Sequence, residues 1–177
     1  NDEFRQTIDR YKEMRAGNKT YYFDADQLAD IAEYFATVAN YDIAFEAIDY
    51  ALSIHPANTE VLVIKAHVLI ELERLEEAKE IAYSIPENYD RDVKILKAKL
   101  FILEENIDEA NILIQEVVSQ EENNDLDNWL DIAYMYTDSD YDEEALPWYE
   151  KIHNSEPENF SFMFTLAECY AKCDQVE

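Results

Sequence analysis

Apolar side chains recur along this 177-residue chain with the period of an α-helix, and the pattern returns several times. In its first appearance Leu28, Ile31, Ala32 and Phe35 are spaced so that they share one side of a helix. The pattern then breaks, and a second apolar stripe covers residues 44–51. It predicts two amphipathic helices joined by a short turn.

The same two-helix pattern is repeated along the chain. The segments KAHVLIELERLEEA, from Lys65, and KAKLFILEENIDEA, from Lys97, are nearly alike. The distance in sequence from the first residue to the last alanine is the same in both segments. The segments 31–44 and 132–145 also end on an alanine at this distance from their first residue. A period in the thirties is typical of stacked helix pairs. One internal alanine position marks five copies, at successive intervals of 34, 32, 35 and 34: Ala32, Ala66, Ala98, Ala133 and Ala167.

Helix-starting and helix-ending residues place the boundaries of each copy. Asp24 with Gln27 resembles a capping box, and Asn58, Asp90 and Asn159 suit N-caps. Prolines lie where the second helices should have ended, at Pro56, Pro86 and Pro157. The predicted array covers residues 24–177, with repeats at about 25–58, 59–90, 91–125 and 126–159 and a partial copy at 160–177.

Residues 1–23 do not fit the repeat. Phe4, Ile8, Tyr11 and Met14 follow a helical spacing, and Gly17 suits the position just beyond a helix end. We interpret this segment as an N-terminal capping helix on the first repeat, and the alternative is a partner-binding helix.

Composition supports a helical fold. The chain has one glycine and four prolines, whereas the turns of hairpin-rich sheets depend on glycine. A hydrophobic content of 48% is sufficient for a core.

The repeat resembles the tetratricopeptide repeat, a helix–turn–helix unit whose period also lies in the thirties. The fourth copy carries most of the motif positions, at Trp129, Ile132, Ala133, Tyr136, Ala145, Tyr149, Ile152 and Pro157. The first copy matches through Leu28, Ile31, Ala32, Phe35, Ala44, Ile48, Ala51 and Pro56. In the second and third copies Lys65 and Lys97 replace the motif leucine. Their apolar stripe is shifted to Val61, Ile64 and Val68, and to Val93, Leu96 and Leu100.

This resemblance implies an all-α, right-handed superhelical solenoid of antiparallel helix pairs over residues 25–177. The recurring alanines then lie where the two helices of a pair approach closely. Because one pair cannot bury both of its apolar sides, each repeat completes the core of the next.

Charge limits the kinds of partner. The net charge is −27, with +1 on residues 1–23 and therefore −28 on residues 24–177. A field of this sign repels phosphate backbones and anionic lipids, so nucleic acid and membrane partners are not expected. A basic protein partner is compatible with the field, and solubility alone is the simpler explanation.

No motif for catalysis or cofactor binding is present in the sequence. A single glycine is incompatible with both glycine-rich phosphate-binding motifs, and the three histidines share no metal-ligand spacing. Cys169 and Cys173 are half of a zinc site at most, and packing cysteines are the favoured interpretation. We therefore expect no enzyme activity, no cofactor and no metal.

The expected function is that of a protein-interaction scaffold. In tetratricopeptide proteins the first helices line the concave face, where ligand peptides lie. The Lys/Asn clamp of the chaperone-binding members is absent here. By position, the resemblance implies a peptide-binding surface of Val63, His67, Ile70, Ile95, Lys99, Ile102, Leu130, Tyr134, Phe164 and Glu168. Its occupant would be a basic or amphipathic segment. The alternative is that much of this strip is core between repeats.

Two further expectations concern the context of the chain. The alternative function is a regulatory or structural repeat segment of a longer multidomain protein. The predicted helix over residues 159–173 has no second helix to cover Leu166 and Tyr170, so we expect an exposed apolar end capable of self-association. No apolar run is long enough to span a bilayer, and the expected localisation is cytoplasmic. The alternative is a chain from which a signal peptide has been removed.

Overall fold

The computed structural model describes residues 2–120 and 125–173, and within these residues all regular structure is helical. This confirms the predicted all-α class. The helices are α1 (Asp2–Arg15), α2 (Ala25–Thr37), α3 (Tyr41–Ile54), α4 (Thr59–Glu71), α5 (Leu75–Ser84), α6 (Arg91–Leu103), α7 (Ile107–Ser119), α8 (Leu126–Thr137), α9 (Asp142–Ser155) and α10 (Met163–Cys173).

The predicted helix pairs are present. Helix α2 packs against α3, α4 against α5, and α8 against α9. The chain divides into two compact units, residues 1–96 and residues 97–177, with the boundary inside α6.

The turns inside the repeats share one backbone geometry. The first helices α2, α4, α6 and α8 are each followed by a left-handed residue, with φ of 55° at Ala39, 59° at Glu73, 61° at Glu105 and 61° at Asp140. At the first of these turns, Ala39 N–H donates to the Ala36 carbonyl (2.9 Å) and Asn40 N–H to the Phe35 carbonyl (2.8 Å). Both bonds recur at the other three turns, and together they form a Schellman motif. The four residues keep the 34, 32 and 35 spacing of the alanines.

Most of the predicted helix starts are confirmed. Asp24 and Gln27 form a reciprocal capping box, with the Gln27 N–H 2.8 Å from the Asp24 carboxylate. Asn58 accepts from the Val61 N–H at 2.9 Å, and Asp90 caps α6 by accepting from the Asp92 N–H at 2.9 Å. These bonds satisfy donors that the first helical turn leaves without partners.

Helix α1 packs on α2 through an aromatic cluster. Tyr11 contacts Phe23 and Phe35 with ring centroids 5.7 and 6.2 Å apart, and Phe4 meets Tyr34 edge-on at 5.8 Å. Ile8 and Tyr11 are buried, so the apolar side predicted for this helix is used within the chain. The predicted helix end is confirmed as well, because Gly17 is left-handed (φ 74°).

The shifted apolar stripe of the second and third repeats is confirmed. Val61, Val68, Val93, Leu96 and Leu100 are buried, and Ile64 is half-buried. The lysines that displace the motif leucine are half-buried instead: Lys65 lies 3.6 Å from the Asp49 carboxylate, and desolvation lowers the pKa of Lys97.

The prediction for the last helix is wrong in two respects. Helix α10 begins at Met163, not at residue 159, because the Asn159 side chain accepts from Ser161 N–H (3.2 Å) and Oγ (2.7 Å) and forms a turn. Leu166, expected to be exposed, is buried in the unit that contains α9, against which α10 packs. Tyr170 is 41% exposed, and its hydroxyl donates to Glu150 at 2.5 Å.

Candidate functional site

A groove lies between α2 and α4, the first helices of the first two repeats. It encloses about 350 Å³. Its floor is apolar, with Val68 buried and Ala36 and Ile64 half-buried. The complete lining is Glu33, Ala36, Thr37, Ala39, Tyr41, Ile64, His67, Val68 and Glu71.

Small side chains on α2 leave the space that forms this groove. Ala36 and Thr37 lie near the end of α2, opposite the longer Ile64 and His67 of α4. Thr37 turns its hydroxyl back onto its own helix and donates to the Glu33 carbonyl at 2.9 Å. Residues 33–37 of α2 and residues 64–71 of α4 line the groove together.

Two carboxylates line the groove, and others lie on the same two helices. Glu33 and Glu71 belong to its lining, and Asp26, Asp30 and Glu60 lie towards the N-terminal ends of the same two helices. The pKa of Glu60 is raised, first by desolvation and then by the negative charges of Asp26, Asp30, Glu33 and Asp92. A carboxylate with a raised pKa is in an environment that favours a cationic neighbour.

A second depression lies in the other unit. It encloses about 470 Å³ between the N-terminal turns of α8 and the C-terminal end of α9. Leu130 and Ile152 supply apolar surface, and Asp125, Asp127 and Glu156 supply carboxylates.

The predicted surface residues divide into three groups. Val63, Ile70 and Ile102 are buried, so these three residues belong to the core and not to a binding surface. His67, Ile95, Lys99, Leu130 and Tyr134 are half-buried, and Phe164 and Glu168 are exposed. His67 lines the groove between α2 and α4, and Leu130 lines the second depression. The set spans two units, four residues in the first and six in the second.

Several groove residues were not predicted from the sequence. Thr37 and Glu71 lie at the same position of successive repeats, and Ile64 and Val68 belong to the shifted apolar stripe of α4. That shift was the available signal, because it turns the apolar side of α4 towards α2.

The cysteines are part of the packing around α10. Cys169 is buried and donates to the Asp142 carboxylate at 3.4 Å, and burial followed by this bond raises the pKa of its thiol to about 12. Lys172 contacts the same carboxylate at 3.0 Å. Neither cysteine is in a disulfide. Over residues 2–120 and 125–173, no His, Cys, Asp and Glu side chains come together in a metal-binding group of three or more.

None of the helices in the described parts of the chain has the length and apolar character needed to cross a membrane.

Paired helices joined by left-handed turns at a repeating interval define a helical-repeat protein. Residues 22–100 of this chain match the sequence model of the tetratricopeptide repeat family.

A solved structure of a tetratricopeptide repeat protein shows the same fold. This thermophilic TPR protein from Thermus thermophilus superposes with a TM-score of 0.71 at 14% identity, over 95% of this chain and 91% of that one. Similarity to two other solved structures is lower. MamA from AMB-1 gives a TM-score of 0.48 at 19% identity, over 91% of this chain and 93% of that one. MamA from MSR-1 gives 0.49 at 17% identity, over 85% and 93%. No curated protein matches the sequence significantly.

Proposed function

We propose that this chain is a protein-interaction scaffold that binds a peptide or helical segment of a partner on the face lined by its first helices. The groove between α2 and α4 is its principal contact. The observation that carries this proposal is the apolar floor of the groove, formed by Ala36, Ile64 and Val68 at the surface of an otherwise strongly acidic chain.

The dimensions of the groove suit one large side chain of a partner. A volume of 350 Å³ lies at the lower end of the range for ligand pockets. Burying one aromatic or aliphatic anchor there removes apolar surface of both molecules from water. Main-chain and side-chain groups on either side of the anchor then contact the rims, as in other helix-lined peptide sites.

In the second unit, the sequence-predicted residues Leu130, Tyr134, Phe164 and Glu168 are proposed as a separate contact surface. Phe164 is 76% exposed, which is unusual for a large apolar side chain. A double substitution, Leu130→Asp with Phe164→Asp, tests this contact by placing carboxylates at two of its apolar positions.

The principal contact is tested with a substitution that fills the groove. A random peptide library displayed on phage is panned on the protein, and the affinity of selected peptides is measured by calorimetry. Thr37→Trp places an indole in the groove at an exposed position and should weaken binding at least about tenfold, the loss of roughly 1.4 kcal/mol. Thr20→Trp, at an exposed position outside the groove, is the matched control.

The outcomes of this experiment are distinct. Loss of affinity in Thr37→Trp alone, with an unchanged melting temperature, supports the groove as the site. Equal affinity of Thr37→Trp and the unsubstituted protein contradicts it. The alternative of a regulatory segment in a longer protein predicts that peptides from that protein's own remaining sequence bind best.

A further inference from the structure

A cavity of about 400 Å³ lies between α1 and α2, and it shares no lining residue with the groove between α2 and α4. Part of its wall is apolar, because Phe4 and Tyr34 are half-buried and meet edge-on at 5.8 Å, and Ile8 is buried. Its complete lining is Phe4, Arg5, Ile8, Asp9, Lys12 and Tyr34. The cavity therefore combines aromatic surface with three charged side chains, two of which are basic.

The two basic side chains of this cavity are available to a ligand. Arg5 and Lys12 are exposed, and neither forms an ion pair with Asp9 or with any other residue that the structure describes. The Lys12 ammonium lies over the Tyr34 ring instead, 5.8 Å from its centroid. An ammonium has three donors, so a contact with the face of a ring leaves it able to bind a carboxylate as well.

Unpaired cations are not expected from the composition of this chain. It carries 41 acidic and 14 basic residues, and five of the basic residues lie before α2. Arg15 follows the expectation and pairs with Glu46 at 2.5 Å. Arg5 and Lys12 do not, although Asp9 lies about one helical turn from each of them. Their position beside an aromatic cavity is thus the basic exception on an acidic protein.

We propose that this cavity is a second protein-binding site, independent of the groove, which takes an acidic segment of a partner. One apolar side chain of that segment enters against Phe4 and Tyr34, and carboxylates on both sides of it pair with Arg5 and Lys12. These two basic residues are seven positions apart on α1, which is about 10 Å along the helix axis. An extended segment covers that distance in about three residues, so the carboxylates closely flank the apolar anchor.

A short acidic segment of a protein fits this site better than a phosphate backbone does. The lining holds two cations, with the carboxylate of Asp9 between them in sequence. A phosphate backbone continues its charge past these cations, and residues 24–177, with a net charge of −28, repel it. A protein segment confines its negative charge to the residues around the anchor. Charges farther away than about 8 Å are largely screened at physiological ionic strength.

The ligand is tested with labelled synthetic peptides, whose binding to the full chain is measured by fluorescence anisotropy. The probe has one Trp with two Glu on each side in a Gly/Ser background. Matched peptides carry Gln in place of every Glu, or Gly in place of the Trp. The Glu peptide should bind at least about fivefold more tightly than either, and its affinity should fall as salt rises. A single-stranded oligothymidylate should bind more weakly than the Glu peptide.

Matched protein variants locate the site. Arg5→Gln with Lys12→Gln removes both cations of the cavity and should weaken binding of the Glu peptide about fivefold. The control Arg10→Gln with Arg74→Gln removes two cations outside the cavity, one of them on α1, and should change the affinity less than about twofold. Asp9→Asn should strengthen binding about twofold, because it removes a carboxylate that repels the ligand. All five positions are exposed, and melting temperatures verify that each variant folds.

Several results would overturn the inference. They are no measurable binding of the Glu peptide, equal affinity of the Glu and Gln peptides, full affinity in Arg5→Gln with Lys12→Gln, or an equal loss in the control. Tighter binding of the oligothymidylate would assign the surface to nucleic acid. Thr37→Trp should leave binding of the Glu peptide unchanged, since Thr37 lies in the groove. Failure of one proposal therefore leaves the other standing.

Discussion

Helices α8 and α10 occupy the same place in the repeat, yet the protein buries them to different degrees. Tyr136 and Tyr170 are equivalent residues of successive repeats, but Tyr136 is 1% exposed and Tyr170 is 41% exposed. The equivalent alanines show the same contrast: Ala133 in α8 is fully buried, whereas Ala167 in α10 is exposed.

Among the described residues, α8 has neighbours before and after it in the chain, and Tyr136 donates its hydroxyl hydrogen bond to Asn111 of α7. Helix α9 packs on α8, with Tyr134 and Tyr149 in edge-on contact at 6.0 Å and the Thr137 and Tyr149 hydroxyls 3.1 Å apart. Helix α10 also packs on α9, but through Leu166 and Cys169, which are the buried residues of that helix. A first helix thus has two apolar sides, and each needs its own neighbour.

Truncating the two tyrosines should show the largest contrast. Tyr136→Ala empties a fully buried position and removes the hydroxyl that donates to Asn111, and large-to-small core changes of this size cost about 3–5 kcal/mol. Tyr170→Ala should cost less than about 1 kcal/mol, because the ring is partly in solvent and its bond to Glu150 is exposed. Urea unfolding of both variants measures the difference. Similar losses in the two variants would contradict the contrast.

Adding bulk at the two alanines should show a smaller contrast. Ala133→Leu inserts three carbons where α8 is fully buried, and overpacking costs about 1–3 kcal/mol. Ala167→Leu is the matched control at the equivalent, exposed position and should change stability by less than about 0.5 kcal/mol. If Ala133→Leu unfolds at the same temperature as the unsubstituted protein, the register assigned to the alanines is wrong.

Alkaline pH should weaken the packing between α8 and α9. Burial raises the pKa of Tyr149 to about 12, above the value of about 10 for an exposed tyrosine. The unfolded chain therefore releases this proton first, and the free energy of unfolding should fall as pH rises from about 10 to about 12. Tyr149→Phe should reduce that fall in urea titrations, whereas Tyr22→Phe, at an exposed tyrosine, should not. An equal effect of both substitutions would assign the fall to other groups.

The repeat architecture was predictable because each copy repeats the same side-chain spacing. The alanine positions, the caps at Asp24, Asn58 and Asp90, and the shifted stripe of α4 and α6 all follow from helical periodicity. The start of α10 was not predictable from the sequence, because Asn159 suits both a helix N-cap and the turn that it forms with Ser161. Local propensity does not choose between these two bonds.

The left-handed turns could not be located by residue type. Glycine is the usual residue at such a position, and it occupies only the turn after α1. Ala39, Glu73, Glu105 and Asp140 adopt the same region because the packing of the two helices of a pair fixes the turn between them. Tertiary structure here overrides the local preference of the residue.

The candidate surface was predictable only in part. Position in the repeat identified residues of the first helices, including His67 and Leu130, which line depressions in the structure. It could not separate these from Val63, Ile70 and Ile102, which are buried. Burial depends on how each helix is rotated against its neighbours, and spacing along one helix does not define that rotation.

The last and smallest expected effect is self-association through the region around α10. Phe160 and Phe164 are 71% and 76% exposed, and we propose that they contact a second copy of the chain. The net charge of −27 opposes this contact, so association should be weak and should strengthen as salt screens the repulsion. Peptide binding in the groove should respond to salt in the opposite sense.

Sedimentation velocity over a concentration series at low and high salt measures this effect. A shift towards dimer at high salt should disappear in the variant Phe160→Ser with Phe164→Ser. It should remain in Tyr22→Ser with Tyr89→Ser, which removes two aromatic side chains that are equally exposed in the other unit. Because the two variants remove similar apolar area, a difference between them assigns the contact to the α10 region. A chain that stays monomeric at every concentration and salt would show that the exposed phenylalanines have no role in self-association.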